Sequence, residues 1–184
     1  MKPTQELSHE HQAILLMIRI LEKMSDRLEA GQAVDPAHLE KAVDFIRVFA
    51  DKCHHGKEED LLFPAMEKAG IPRNGGPIGV MLHEHVAGRN YVKALAESIP
   101  GIKEGDKAAA QAFAENARNY GALLSVHIQK EDHILYPMAD ARLTPAQQNE
   151  LEACFADVEE NVIGHGRHEE YHRLLKELET AYLV

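Results

Sequence analysis

The chain has 184 residues, 45% of them hydrophobic, which fits one globular domain with a sizeable core. Thirty acidic against 20 basic residues leave a formal charge of -10, which argues against a phosphate-backbone partner, since such binding needs clustered Lys and Arg. No apolar run approaches the roughly 18 to 20 residues of a membrane span, and the start Met-Lys-Pro-Thr-Gln lacks the apolar stretch of a signal peptide. A cytoplasmic protein with no nucleic-acid and no membrane partner is expected.

From about Thr4 to Ala30, Leu7, Ile14, Leu15, Ile18, Leu21, Met24 and Leu28 recur at helical spacing, and Gly31 supplies a stop. Asp35 is a good N-cap, with Pro36 in the first helical position, for a second helix reaching about Ala69. His54 continues its apolar row of Leu39, Val43, Ile46 and Ala50. Pro64 would remove one backbone bond and crowd the carbonyl of Asp60, so a kink or break is expected there, and likewise at Pro137. A third helix is read from Pro77 to Ser98, closed by Pro100-Gly101, with Met81, His85, Val92 and Leu95 on one stripe. The fourth runs from about Asp106 to Ala141 and aligns Phe113, Ala117, Tyr120, Leu124, His127 and Glu131. Four long helices with short connections make an all-α, up-down-up-down four-helix bundle over about residues 4 to 141. The remainder, about 144 to 184, adds two helices to the same single domain. One opens on the capping box Thr144-Pro145-Ala146-Gln147, and the other runs from Arg167 to Tyr182; they pack outside the bundle or mediate a homodimer. Cys53 and Cys154 form no metal or redox spacing and read as free thiols.

Twelve histidines are many for a chain without tryptophan. Their placement is more telling than their number. His54-His55-Gly56-Lys57-Glu58-Glu59-Asp60-Leu61-Leu62-Phe63-Pro64 recurs seventy-three positions later as His127-Ile128-Gln129-Lys130-Glu131-Asp132-His133-Ile134-Leu135-Tyr136-Pro137. Upstream, His9-Glu10-His11 recurs as His83-Glu84-His85. In each motif a histidine precedes a glutamate by four residues, which on a helix puts both on one face, roughly 5 to 6 Å apart at Cβ, in reach of one metal ion. His11 and His85 fall on the inner faces of their helices; His9 and His83 point elsewhere. The spacing therefore selects His11, His54, Glu58, His85, His127 and Glu131 as metal ligands. His38, His55, His133 and His172 read as solvent-facing or supporting residues, Glu59 and Asp132 as partners for ligand imidazoles or solvated groups, and Lys57 and Lys130 as surface residues.

This order of motifs resembles the hemerythrin-like, or HHE cation-binding, family, over about residues 4 to 141. Gly164-His165-Gly166-Arg167-His168-Glu169-Glu170 also resembles an extension of one bacterial and archaeal branch. The resemblance implies a non-haem di-iron centre with an oxo or hydroxo bridge. His11 and His54 would bind one iron, His85 and His127 the other, and Glu58 and Glu131 would bridge them, with zinc or manganese as substitutes. Two departures from the oxygen carriers of the family weigh against reversible carriage. A fifth histidine one turn from His85 is replaced by Met81 and Arg89, and the final motif carries Glu131 at a spacing of four instead of an aspartate at five. About two octahedral positions would then stay open unless His83, His165, His168 or a tyrosine such as Tyr120 approaches the metal. The expected functions are binding, sensing or reaction with O2, peroxide or NO. The alternatives are a redox enzyme with a protein electron donor, iron donation for cluster repair, and a structural Zn or Mn site.

Overall fold

The computed structural model describes residues 1–164 and 166–184, with Val162 described by its backbone alone. Helices account for nearly all of them, and no strand occurs among the described residues. Helix α1 is Pro3–Glu29, α2 spans residues 36–68, α3 is Pro77–Lys103, and α4 spans residues 107–142. Two further helices follow, α5 over residues 145–164 and α6 at Arg167–Tyr182. No described helix is long and apolar enough to cross a membrane.

Helix α1 packs on α4, α4 on α3 and α3 on α2, and α2 closes the ring on α1. The caps read from sequence are in place. Asp35 accepts from the Ala37 N–H, Asp106 from Ala108, and Thr144 from Gln147, whose own side chain accepts from the Thr144 N–H. Helix α3 runs one turn beyond the expected stop, because the exposed Pro100 gives up its bond on the solvent side without ending the helix. It ends at Gly105 in the left-handed region, where Asp106 N–H donates to the Gly101 carbonyl and Gly105 N–H to Ile102. At Gly121 a Cβ would come within 2.9 Å of Ile18 Cγ2, so the missing side chain lets α4 approach α1 closely.

The two motif prolines are accommodated by wider turns. In α2 π-helical turns occupy Ile46–His55 and Glu58–Leu62, and in α4 they occupy Glu131–Leu135. Phe63 N–H donates to the Glu58 carbonyl and Tyr136 N–H to Glu131, each five residues back. The extra residue per turn moves away the carbonyl that the proline ring would crowd, and a short α-helix follows each proline.

Apolar packing falls into two clusters. One contains Ile14 to Met24, Leu39 to Ala50, Val92 to Ile99 and Phe113 to Ile128; the other contains Leu7, Leu62 to Met66, Ile78, Met81 and Leu135 to Ala139. On every bundle helix the boundary between them falls at the repeated histidine or histidine–glutamate motif. The extension covers this body. Leu151 and Phe155 of α5 join the second cluster, and Tyr171, Leu175, Leu178 and Tyr182 of α6 join the first.

Candidate metal centre

All six residues selected by the repeat converge at that boundary, each almost completely buried. His11 Nε2 lies 3.1 Å from His54 Nε2, and His85 Nε2 lies 3.1 Å from His127 Nε2. Glu131 spans the two pairs, with Oε2 at 3.2 Å from His11 Nε2 and Oε1 at 3.0 Å from His127 Nε2. Glu58 Oε2 stands 3.8 Å from His54 Nε2 and 3.5 Å from His85 Nε2, so it also faces both pairs.

The opposite ring nitrogens set the tautomers. His11 Nδ1 lies 2.9 Å from Asp132, His54 Nδ1 2.8 Å from Glu10, His85 Nδ1 2.7 Å from Glu59, and His127 Nδ1 2.8 Å from Glu84. A carboxylate only accepts, so each Nδ1 donates its proton outward and each Nε2 faces inward. Two lone pairs 3.1 Å apart repel unless a positive charge sits with them. Nitrogens about 2.1 Å from one ion and at right angles would stand about 3.0 Å apart, so the spacing fits two ligands of a common ion. Glu58 Oε2 and both oxygens of Glu131 are buried without a hydrogen-bond donor, a state that a cation would relieve.

The four orienting carboxylates are themselves held. Lys57 Nζ donates to Glu10 Oε1 at 2.7 Å, Glu6 Oε1 at 2.7 Å and Glu159 Oε1 at 2.6 Å. Lys130 pairs with Glu84, Arg89 donates to Glu59 at 2.6 Å, and Ser8 donates to Asp132 at 2.6 Å. Lys57 is therefore not the surface residue expected from its sequence but a wholly buried cation, and Lys130, only partly exposed, braces Glu84. Tyr136 Oη donates to Glu58 Oε1 at 2.7 Å and lies 3.3 Å from His11 Nε2.

Charge at the centre is unevenly distributed. Burial pushes the Glu58 carboxyl well above its usual range, and the nearby Glu131 charge adds to this. Burial acts on Glu131 in the same direction, yet the His127, His11 and His85 imidazoles hold it well below that range. Burial disfavours a charged His11, but the Asp132 and Glu131 carboxylates beside it carry its pKa to about 9. Glu10, buried beside His54 and Lys57, is held down at about 2. Burial and the Glu131 and Glu58 charges keep Tyr136 protonated well beyond the ordinary phenol range.

Of the other residues considered from sequence, His9, His83, His133 and His172 are exposed. His38 Nδ1 pairs with the Tyr182 hydroxyl. His55 is buried and stacks on His85 with ring centroids 3.8 Å apart, its Nδ1 3.2 Å from Asp51. His168 stacks on Phe49 and brings Nε2 to 3.9 Å from Glu10, so it approaches an orienting carboxylate. His165 lies outside the described residues. Cys53 and Cys154 are free, as expected.

The model of the hemerythrin HHE cation-binding domain matches residues 2–139, which takes in nearly all of the four bundle helices. The chain belongs to the hemerythrin HHE family. Among relatives, Uncharacterized protein Rv1995 of Mycobacterium tuberculosis is 22% identical over 160 residues, covering 87% of this chain and 62% of that protein. A Mycobacterium bovis relative, Uncharacterized protein Mb2018, matches to the same extent. The chain thus spans 62% of the length of these curated relatives. Iron-sulfur cluster repair protein YtfE of Edwardsiella ictaluri is 35% identical over 75 residues, covering 41% of this chain and 34% of that protein. Cation binding by the HHE domain is the property that family membership carries to this chain.

Proposed function

We propose that this HHE protein holds a non-haem di-iron centre, with His11 and His54 on one ion, His85 and His127 on the other, and Glu58 and Glu131 between them. Its function on this reading is to bind or react with O2 or a related small ligand such as peroxide or NO. The observation that carries the reading is the convergence of two inward-facing Nε2 pairs on buried carboxylate oxygens that lack donors. Imidazole and carboxylate donors suit iron, and they would also accept zinc or manganese. A bound iron pair would supply electrons and Lewis acidity for a small oxygen- or nitrogen-containing ligand.

The chain's own groups prepare that chemistry. Each Nδ1 contact fixes its ring against rotation, and the apolar clusters on either side limit water. Tyr136 keeps its proton at Oη and donates it to Glu58, holding that carboxyl in place beside His11. Repeated turnover would require a protein electron donor. A second reading, iron donation for cluster repair, is favoured by the similarity to the Edwardsiella ictaluri protein.

Metal analysis and absorption spectra test the proposal, using protein purified in air, reduced anaerobically and re-exposed to oxygen. Two irons per chain with near-ultraviolet charge-transfer bands are expected in the native chain and in His38→Ala, and loss of the paired centre in Glu131→Ala. A reversible spectral cycle would favour binding or sensing, whereas oxidation without an adduct would favour redox chemistry. Equal iron in native and Glu131→Ala chains, or zinc alone, would sink the di-iron assignment.

A further inference from the structure

Between α2 and α3, on the His85 side of the centre, lies a cavity of about 240 Å³. The His55 ring lines it and stacks on His85, so one imidazole separates the cavity from the metal site. Ile46 and Val92 give it apolar walls. Gly88 leaves room at its base, since a Cβ there would meet Leu124 and Tyr120 only at 3.5 and 3.7 Å.

Two observations point to a ligand. The Tyr120 hydroxyl is buried with no hydrogen-bond partner, and burial raises its pKa beyond the ordinary range, so it remains a donor awaiting an acceptor. Charge supplies the second. Arg47, Arg89 and Lys93 line the cavity against the single carboxylate of Asp51, in a chain whose net charge is -10. Arg89 is already paired with Asp51 and Glu59, whereas Arg47 is exposed and makes no ion pair among the described residues, and Lys93 reaches Glu97 only at 3.8 Å. The mouth of the cavity is therefore cationic while its walls are apolar. As a scale, an apolar cavity of about 150 Å³ holds benzene, so this one has room for a ring with two polar substituents.

We propose that this cavity binds a small organic carboxylate with an apolar body and an acceptor oxygen at its far end. Arg47 and Lys93 hold the carboxylate at the mouth, Ile46, Val92 and Gly88 contact the body, and Tyr120 donates to the distal oxygen. The ligand rests against His55 and does not enter the shell of the metal. The inference stands independently of the di-iron reading, because none of its contacts is one of the six proposed ligands.

The test is calorimetric titration of the metal-loaded full chain with 4-hydroxybenzoate, with benzoate and phenol as probes lacking one end each. Saturable binding of 4-hydroxybenzoate is expected. Benzoate and Tyr120→Phe should each weaken it by about fivefold through loss of one hydrogen bond, and the Arg47→Ala, Lys93→Ala double variant by about tenfold through loss of the cationic mouth. Gly88→Leu should abolish binding by filling the cavity. Gly88→Ala, whose Cβ fits at ordinary contact distance, should weaken binding with the helical circular dichroism unchanged. Absence of saturable binding overturns the proposal. So does binding indifferent to both Gly88→Ala and the Arg47, Lys93 pair, because a carboxylate bound directly to the metal would ignore those residues.

Discussion

The repeated lysines show how far the two halves of the centre have diverged. Lys57, beneath His54, is wholly buried among Glu6, Glu10 and Glu159, the last contributed by α5. Its counterpart Lys130 is 32% exposed and holds Glu84. Tyr136 stacks on His11 and donates to Glu58, whereas the matching Phe63 stacks on His85 and offers no hydroxyl. The cavity behind His55 lies on the His85 side, and a different one, lined by Ser8, Asp132 and Tyr136, lies on the His11 side. One duplicated motif thus yields a half braced through the C-terminal extension and a half braced without it. The six converging positions match; the difference lies in what surrounds them.

Substitution of the lysines should break this comparison most sharply. Removing one partner of a buried ion pair strands the other charge, at a cost of about 3 to 5 kcal/mol. A partly exposed pair contributes about 1 kcal/mol or less. Lys57→Met should therefore lower the urea midpoint far more than Lys130→Met, and equal shifts would mean that the two halves are equivalent.

Acidity should produce the next largest effect. In the metal-free chain the raised His11 pKa contributes stability that is fully present below its ordinary value of 6.5 and lost as pH rises through about 9. The loss is on the order of 3 kcal/mol for a shift of this size. Unfolding curves of metal-free protein between pH 6 and 10 should show this decline, and His11→Asn should flatten it. A bound ion at Nε2 would displace the proton, so loaded protein should lack the same slope.

Tyr136→Phe makes the smallest change, because it gives both halves the same aromatic residue. Loss of the bond to Glu58 should cost about 1 kcal/mol. Chelator-driven release should then become more alike for the two ions of the proposed centre, and an unchanged pair of release rates would remove Tyr136 from the explanation.

Much of the fold was legible, because amphipathic spacing and end signals are local. The stripe Met81, His85, Val92, Leu95 is buried as read, and so is the row from Phe113 to Glu131. The convergence of six residues was legible for a different reason: duplication displays its inward positions twice. The same signal could have found Glu10 and Glu84, which recur with their neighbouring histidines. Lys57 recurs as Lys130, but the repeat does not display its burial, since its partners Glu6 and Glu159 are 51 and 102 positions away. His55 reads from sequence as solvent-facing or supporting; it is buried against His85, in the supporting position, on the π turns of Ile46–His55. Pro100 was overread as a terminator, because its exposure cannot be known before the helix is packed.

The orienting carboxylates also cross between the halves. Glu10 holds His54 and Glu84 holds His127 within a half, but Asp132 holds His11 and Glu59 holds His85 from the opposite one. A chain of half this length could not complete that arrangement by itself, yet two copies related by a two-fold axis could. Joining the two halves in one chain keeps that reciprocal exchange while leaving each lysine, each aromatic and each flank free to differ.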